Sequence, residues 1–252
     1  MKRPLSLAFA CLLFAAASMA AARATPAAAL PDMVLASTQE TMQTPDGAWL
    51  RLIYTEAFKR LGYRLVVPEY PLARGAAMAT KGDIDGLLQR AAFYHGIDPT
   101  LVQVPEYHFT VRFVAYGITP IAGLNGWTSL RGRDLKVECR RGILICELQA
   151  AKYLGESRVA IANSSELGLR MLVHGRIDLL IDSQYSVDGQ LARAEFRGAG
   201  VRALGVMDEQ TMHVFLHAKH AALAPRLAAV LRQMKQEGLI EQYRIKAGRS
   251  AP

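Results

Sequence analysis

Cysteine is scarce in this sequence: three residues in 252, at positions 11, 139 and 146. That is too few for a disulfide-built scaffold, and the C-x6-C spacing of the last two is not a zinc spacing. Catalytic signatures are missing as well. There is no G-x-S-x-G elbow, no phosphate-binding P-loop, no dinucleotide glycine fingerprint and no H-E-x-x-H. Blocks of lysine and arginine are absent, and aromatics do not interleave with the basic residues, which argues against a nucleic-acid partner. Beyond residue 24 no apolar run is long enough to cross a bilayer.

What is present begins at the N-terminus. Lys2 and Arg3 precede an uncharged, mostly apolar stretch from Leu5 to Ala22, and Ala22-Arg23-Ala24 offers a small-x-small cleavage site. This is the layout of a secretory signal peptide over 1–24, with export to the periplasm as its consequence. Cys11 falls inside the segment to be discarded. The remaining chain holds 27 basic and 22 acidic residues, a net +5. Such a modest balance suits an anionic ligand or an anionic surface. Cys139 and Cys146 are then an even pair in a disulfide-permissive compartment. They flank Arg140-Arg141-Gly142, where a strand turns into a helix, and a bridge would staple that turn; two buried free thiols are the alternative.

After an Ala/Pro-rich linker over 25–32, Met33 to Ser37 reads as a buried strand. Thr44 caps a helix whose first residue is Pro45, and Leu50, Ile53, Tyr54, Ala57 and Leu61 place one apolar face along it. Strands at Tyr63–Val67 and Ile84–Leu88 flank a helix over Pro71–Lys81, which ends at Gly82. The same order returns later: a strand at Leu135–Cys139, a helix over Ile143–Leu154 and a strand at Val159–Ile161. Then come a helix capped by Asn163 with Glu166 as its reciprocal partner, and a strand at Ile177–Ile181. Gly82-Asp83-Ile84-Asp85-Gly86-Leu87 is echoed by Gly175-Arg176-Ile177-Asp178-Leu179-Leu180. Strand-helix alternation given twice predicts two like-built α/β lobes. Phe109–Tyr116 and Val201–Val206 read as extended crossings between them. Met212–Leu216 reads as a further strand, and Pro225 opens a helix that ends before Gly238. The expected lobes are 33–115 with 208–252, and 116–207.

A cleft between lobes is a preferred ligand site, and ligands of parallel sheets bind beyond the carboxyl ends of the strands. Arg90 follows a buried strand at such an end, beside Gln89, and its guanidinium suits bidentate recognition of a carboxylate or phosphate. Arg74 opens a helix after Pro71. Opposite them, Arg141 and Gly142 precede a helix whose free amides favour an anion. Trp49 and Tyr107 are the aromatic candidates for a wall, with Tyr54 and Tyr94 also in view. Asp85 and Asp178 begin strands after helix-stopping glycines and read as turn-making residues. His213, His217 and His220 read as a strand edge and turn, with metal ligation the minor alternative. No cofactor is implied.

The residues resemble the family 3 extracellular solute-binding proteins, the periplasmic components of polar amino-acid importers. Carrying the resemblance are Glu56-Ala57-Phe58-Lys59-Arg60-Leu61-Gly62, the stretch Pro71–Ala77 with Arg74, and Gly82 through Arg90. Leu101–Glu106, Gly175-Arg176-Ile177-Asp178, and Leu216-His217-Ala218-Lys219-His220 through Gly238-Leu239-Ile240 complete it. It implies a two-lobed periplasmic-binding-protein-like (type II) α/β fold, each lobe a mainly parallel sheet flanked by helices, with a two-segment hinge. It further implies a monomer that closes on a small polar solute and delivers it to an ABC importer permease. A membrane sensor partner is an alternative, and a lyase or dehydratase using Asp182 or Glu106 a lesser one. The chain departs from the pattern in three places. Ala91–Asp98 lacks the arginine typical there, and Gly142 is followed by Ile143 and Leu144 rather than hydroxyl residues. Asp182 sits one place before the position, Ser183, of the usual ammonium-binding aspartate.

Overall fold

The structure is a computed structural model that describes residues 29–249. The expected signal peptide and residues 25–28 of the expected linker lie outside the described residues. In chain order the elements are β1 (Asp32–Ala36), α1 (Gln39–Met42), α2 (Pro45–Arg60), β2 (Arg64–Val66), α3 (Leu72–Lys81), β3 (Gly86–Ala91) and β4 (Leu101–Gly117). There follow β5 (Val137–Arg140), α4 (Leu144–Leu154), β6 (Val159–Ala162), α5 (Ser165–Val173), β7 (Leu179–Ser183), α6 (Gln184–Leu191), β8 (Arg202–His217), α7 (Leu223–Gln236) and α8 (Leu239–Lys246). No described helix is long and apolar enough to cross a membrane.

Local chemistry explains most boundaries. The Thr44 hydroxyl accepts from the Gly47 amide, and Pro45 needs no amide partner at the first turn of α2. Gly82, at φ 78°, takes the left-handed conformation that ends α3. The cap of α5 is Ser164, whose hydroxyl accepts from Leu167, rather than Asn163. Asn163 is occupied elsewhere, accepting from Arg141 at 2.9 Å. The two extended stretches expected at Val201–Val206 and Met212–Leu216 are one continuous strand, β8, because residues 208–211 keep pairing with β4.

The fold is two-lobed, and its strand order is β2-β1-β3-β8-β4-β7-β5-β6. The parallel triplet β2-β1-β3 belongs to the first lobe and β7-β5-β6 to the second. Each lobe's ladder continues through β4 and β8, which are long enough to serve both and stay paired, with shifts of register, from one lobe to the other. β3 is antiparallel to β8, β8 to β4 and β4 to β7. Three reversals leave the two triplets running in opposite directions. β3 ends at Ala91, paired with Met212, and β7 ends at Ser183, paired with Phe113, which itself pairs with Asp208. Both sets of carboxyl ends therefore converge on the middle of the β4–β8 ladder.

The two-lobe echo is exact in its hydrogen bonds. The Asp85 amide donates to Val34 O while the Asp85 carboxylate accepts from the Val34 amide, both at 2.9 Å. Asp178 does the same with Lys136, at 2.9 and 2.7 Å. Each aspartate thus pins the start of its strand to the first strand of its lobe.

Packing follows strand alternation. Met33, Leu35, Leu88, Phe113, Val137, Cys139, Leu179, Ile181 and Val214 share one core with α2, α4 and α7, continuous through the hinge. The alternate residues split into two cores. Ala36, Leu87 and Phe215 pack with Ala79 of α3, and Val114, Tyr116 and Leu180 with Leu169 of α5 and Val187 of α6.

Cys139 and Cys146 form a disulfide with a Cα–Cα distance of 5.8 Å. It ties the end of β5 to the first turn of α4. Loop closure over so short a span constrains the unfolded chain by about 2–3 kcal/mol. Urea unfolding of the oxidised and reduced protein should differ by that amount; coincident curves would show that the bridge does not hold the turn.

Candidate functional site

The converging strand ends carry polar residues. Gln89 and Arg90 end β3, Arg140 ends β5, and Asp182 and Ser183 end β7; all five are buried. Six buried side-chain polar atoms lack a hydrogen-bond partner among the described residues: Ser37 Oγ, Gln89 Oε1, Arg90 Nε, His108 Nε2, Glu138 Oε1 and Arg140 Nε. Four of these belong to Ser37, Gln89, Arg90 and Arg140, on the edge of the cleft. Buried polar atoms are normally satisfied, so this concentration makes the cleft the candidate site.

Arg90 is 6% exposed. Its Nη2 donates to Leu72 O at 2.6 Å and its Nη1 to Gly142 O at 3.3 Å, one carbonyl from each lobe. The guanidinium lies 5.3 Å from the centre of the Tyr94 ring, and no carboxylate among the described residues pairs with it. Burial pushes its pKa down to about 10, and the cation of Arg140 adds to that push against the opposing pull of Tyr94.

Arg140 is the contrasting case. It pairs with Glu40 of the first lobe and with Asp182 Oδ1 at 3.2 Å. Burial alone would lower its pKa, but the two carboxylates outweigh it and hold the group above its ordinary value. Asp182 also accepts from the Ser165 hydroxyl and the Ser183 amide, each at 2.6 Å. Tyr185, in the first turn of α6, reaches across the gap. Its hydroxyl lies 3.3 Å from both Thr41 Oγ1 and Gln89 Nε2.

Two cavities open here. One, about 60 Å³, sits against the hinge and is lined by Gln89, Arg90, Tyr94, Arg140, Gly142, Ser183, Tyr185 and several apolar side chains. The other, about 310 Å³, lies toward the mouth between Glu40, Glu69, Tyr70, Arg140, Arg141 and Asn163.

The expected residues distribute unevenly. Gln89, Arg90 and Gly142 line the hinge-side cavity, and Arg141 lines the outer one. Asp182 lies behind the wall, bound to Arg140. Arg74 is exposed on α3 and stacks on Tyr70 at 5.4 Å, outside both linings. Trp49 is in the α2 core, its Nε1 donating to Ile240 O at 2.9 Å, and it is remote from the cleft lining. Tyr107 is 47% exposed beneath the Lys235 ammonium, on the outside of the hinge. The amide end of α4, expected to welcome an anion, is already served: Gly142 N donates to Glu147 Oε1 at 2.6 Å. The histidines are separately engaged, His213 with Val104 O and Thr211, His217 with the Lys219 amide and His220 with Asp85. Sequence reasoning missed Arg140, Glu40 and Tyr185.

No family model matches the chain. An uncharacterized protein of Shewanella oneidensis is 30% identical over 217 residues, covering 86% of this chain and 82% of the relative. The chain belongs to that protein's family. Among solved structures, a histidine kinase sensor domain with similarity to periplasmic binding proteins aligns with TM-score 0.70 at 16% identity, over 85% of this chain and 95% of its own. An ancestral arginine-binding protein bound to glutamine follows at TM-score 0.65 and 14% identity, over 85% and 96%. A substrate-binding protein of an ABC uptake transporter from Streptococcus pneumoniae, with bound histidine, gives 0.65 and 14%, over 85% and 91%. At these identities the likeness establishes the fold, which is that of the two-lobed periplasmic binding proteins.

Behind Arg140, Glu138 is buried near Gly168 and Leu180, with one carboxyl oxygen unpartnered. Burial, reinforced by Asp182, raises its pKa from 4.5 to about 7. A carboxyl that holds its proton more tightly when folded costs stability as pH climbs from its unfolded pKa through its folded one. Stability should therefore fall between pH 4.5 and 7 by something on the order of 2–3 kcal/mol from this group. Glu138→Gln should remove that slope, giving a melting temperature several degrees above the parent at pH 8 and equal to it near pH 4.5. Parallel pH profiles for the two proteins would refute the assignment.

Proposed function

We propose that this protein binds a small anionic solute in the periplasm by closing its two lobes, 33–115 with 208–252 and 116–207, and hands it to an ABC importer permease. The observation that carries the reading is Arg90. A buried cation without a counter-charge is costly, and its two carbonyl bonds leave Nε free. A carboxylate or phosphate in the hinge-side cavity would supply the missing charge. Hinge closure around a ligand is the behaviour of periplasmic binding proteins as a class. Closure is favoured only by a ligand that touches both lobes, and Arg90 already spans them. The structural neighbours are binding and sensor proteins, and the carboxylates considered for acid–base chemistry are occupied. Asp182 serves Ser165, Ser183 and Arg140, and Glu106 pairs with Lys235 on the outer side. The proposed role is therefore binding without chemistry.

A second reading, a ligand sensor for a membrane signalling protein, draws support from one feature. Arg140–Glu40 and the Tyr185 hydroxyl already bridge the lobes through the chain's own side chains. The likeness to a histidine kinase sensor domain supports it too.

Thermal-shift screening against organic acids, amino acids and phosphate esters tests the first reading. A solute present at about a hundred times its Kd should add about 2.7 kcal/mol to stability and raise the melting temperature by several degrees. Arg90→Gln should abolish the shift while leaving far-UV circular dichroism unchanged. Binding that survives the substitution, or a panel with no hit, would sink the proposal.

Gly142 tests closure separately. Its φ is +88°, and a Cβ there would stand 2.9 Å from Leu72 Cβ and 3.0 Å from the Ala73 amide, across the cleft. Gly142→Ala should wedge the lobes apart, raise the radius of gyration in small-angle scattering and weaken solute binding at least tenfold. An unchanged scattering profile would mean that this contact does not set the lobe spacing.

A further inference from the structure

The hinge-side cavity has a composition that narrows its guest. Its lining holds two guanidinium groups, Arg90 and Arg140, and no aspartate or glutamate among the described residues. The nearest carboxylates are committed: Glu40 and Asp182 to Arg140, and Glu147 to the Gly142 amide. Much of the remaining wall is apolar, formed by Phe93, Val111, Phe113, Ile143, Ile145 and Met212.

We infer that the solute is a short, apolar monocarboxylate without an α-ammonium group. This rests on the binding reading above and deepens it to a ligand class. An α-ammonium in this cavity would meet the unmatched Arg90 cation and no carboxylate on the lining, and a buried charge without a partner is strongly disfavoured. A dianion or trianion has only one unmatched guanidinium to meet, and the apolar wall cannot solvate the excess. A single carboxylate satisfies Arg90, with the Tyr185 hydroxyl on the same lining as a further donor. Its hydrocarbon body then replaces water against the apolar residues. The cavity of about 60 Å³ has room for roughly four to six water-sized groups, which sets the scale at a short chain.

Matched pairs isolate the ammonium: butanoate against 2-aminobutanoate, and 4-methylpentanoate against leucine, each titrated calorimetrically into the protein. In at least one pair the plain acid should bind at least tenfold tighter than the amino acid, and inorganic phosphate and citrate should bind more weakly than that acid. Arg90→Gln should abolish acid binding. Ser183→Asp, which sets a carboxylate in the wall, should cut the acid-to-amino-acid affinity ratio at least tenfold. Amino acids binding as tightly as the acids, citrate or phosphate binding tighter, or an unchanged ratio in Ser183→Asp would overturn the ligand class while leaving the anion-binding reading standing. Absence of any stabilising compound from the acids, amino acids and phosphates would instead overturn the binding reading itself.

Discussion

The site depends on strand polarity. Three antiparallel pairings in succession, β3–β8, β8–β4 and β4–β7, oblige the two parallel triplets to run in opposite directions. Because each triplet attaches to a different half of the long ladder, both stop at its centre. Side chains at strand carboxyl ends are the ones a parallel sheet offers to a ligand. In one lobe they would make an open shelf; here two shelves face each other across a hinge. The shared ladder also explains why a single apolar core runs through both lobes on one face while the alternate face is divided into two.

Within that gap, two arginines of similar burial have opposite electrostatic fates. Arg140 and Arg90 are 5% and 6% exposed. Arg140 is matched by Glu40 and Asp182, so its charge is structural. It holds the gap closed from both lobes and orders the end of β5. Arg90 receives only carbonyl dipoles and the face of Tyr94, so desolvation wins and its pKa falls. A protein interior built for stability alone would pair such a cation or replace it with an apolar residue. The unmatched member of the pair is the one that points to a ligand.

The fold was legible because its determinants are local. Thr44-Pro45, Gly82 and Gly238 mark helix ends by backbone chemistry, and the Gly-x-Ile-Asp echo encodes the same amide–carboxylate staple in both lobes. The place of Arg90 on the cavity lining was legible for a similar reason, since it is the last charged residue of an apolar strand. Arg140 was not. It adjoins Arg141, and in extended backbone one residue reverses the side chain, so the choice between them depends on a register that composition cannot supply. Arg141 turned outward to Asn163 and Arg140 inward. Trp49 and Tyr107 misled because aromatic surface serves a core, or a stack under a lysine, as readily as a ligand wall. Glu40 and Tyr185 were invisible for a different reason: their importance lies in bonds spanning 100 and 144 residues.

Those long-range bonds bear on what a solute must achieve. Glu40, Thr41, Gln89, Leu72 and Arg90 of the first lobe already touch Arg140, Tyr185 or Gly142 across the gap, so the lobes hold each other without a guest. A solute therefore gains little by creating closure from nothing. Its leverage is the difference it makes between states, and that difference is largest where the closed state is least satisfied. Arg140 offers little, since its charge is already matched. Arg90 offers a whole charge, available only when Leu72 and Gly142 approach closely enough to bury it. The same contact that seals the cavity creates the unmet charge, so in the proposed reading recognition and closure are coupled at a single side chain.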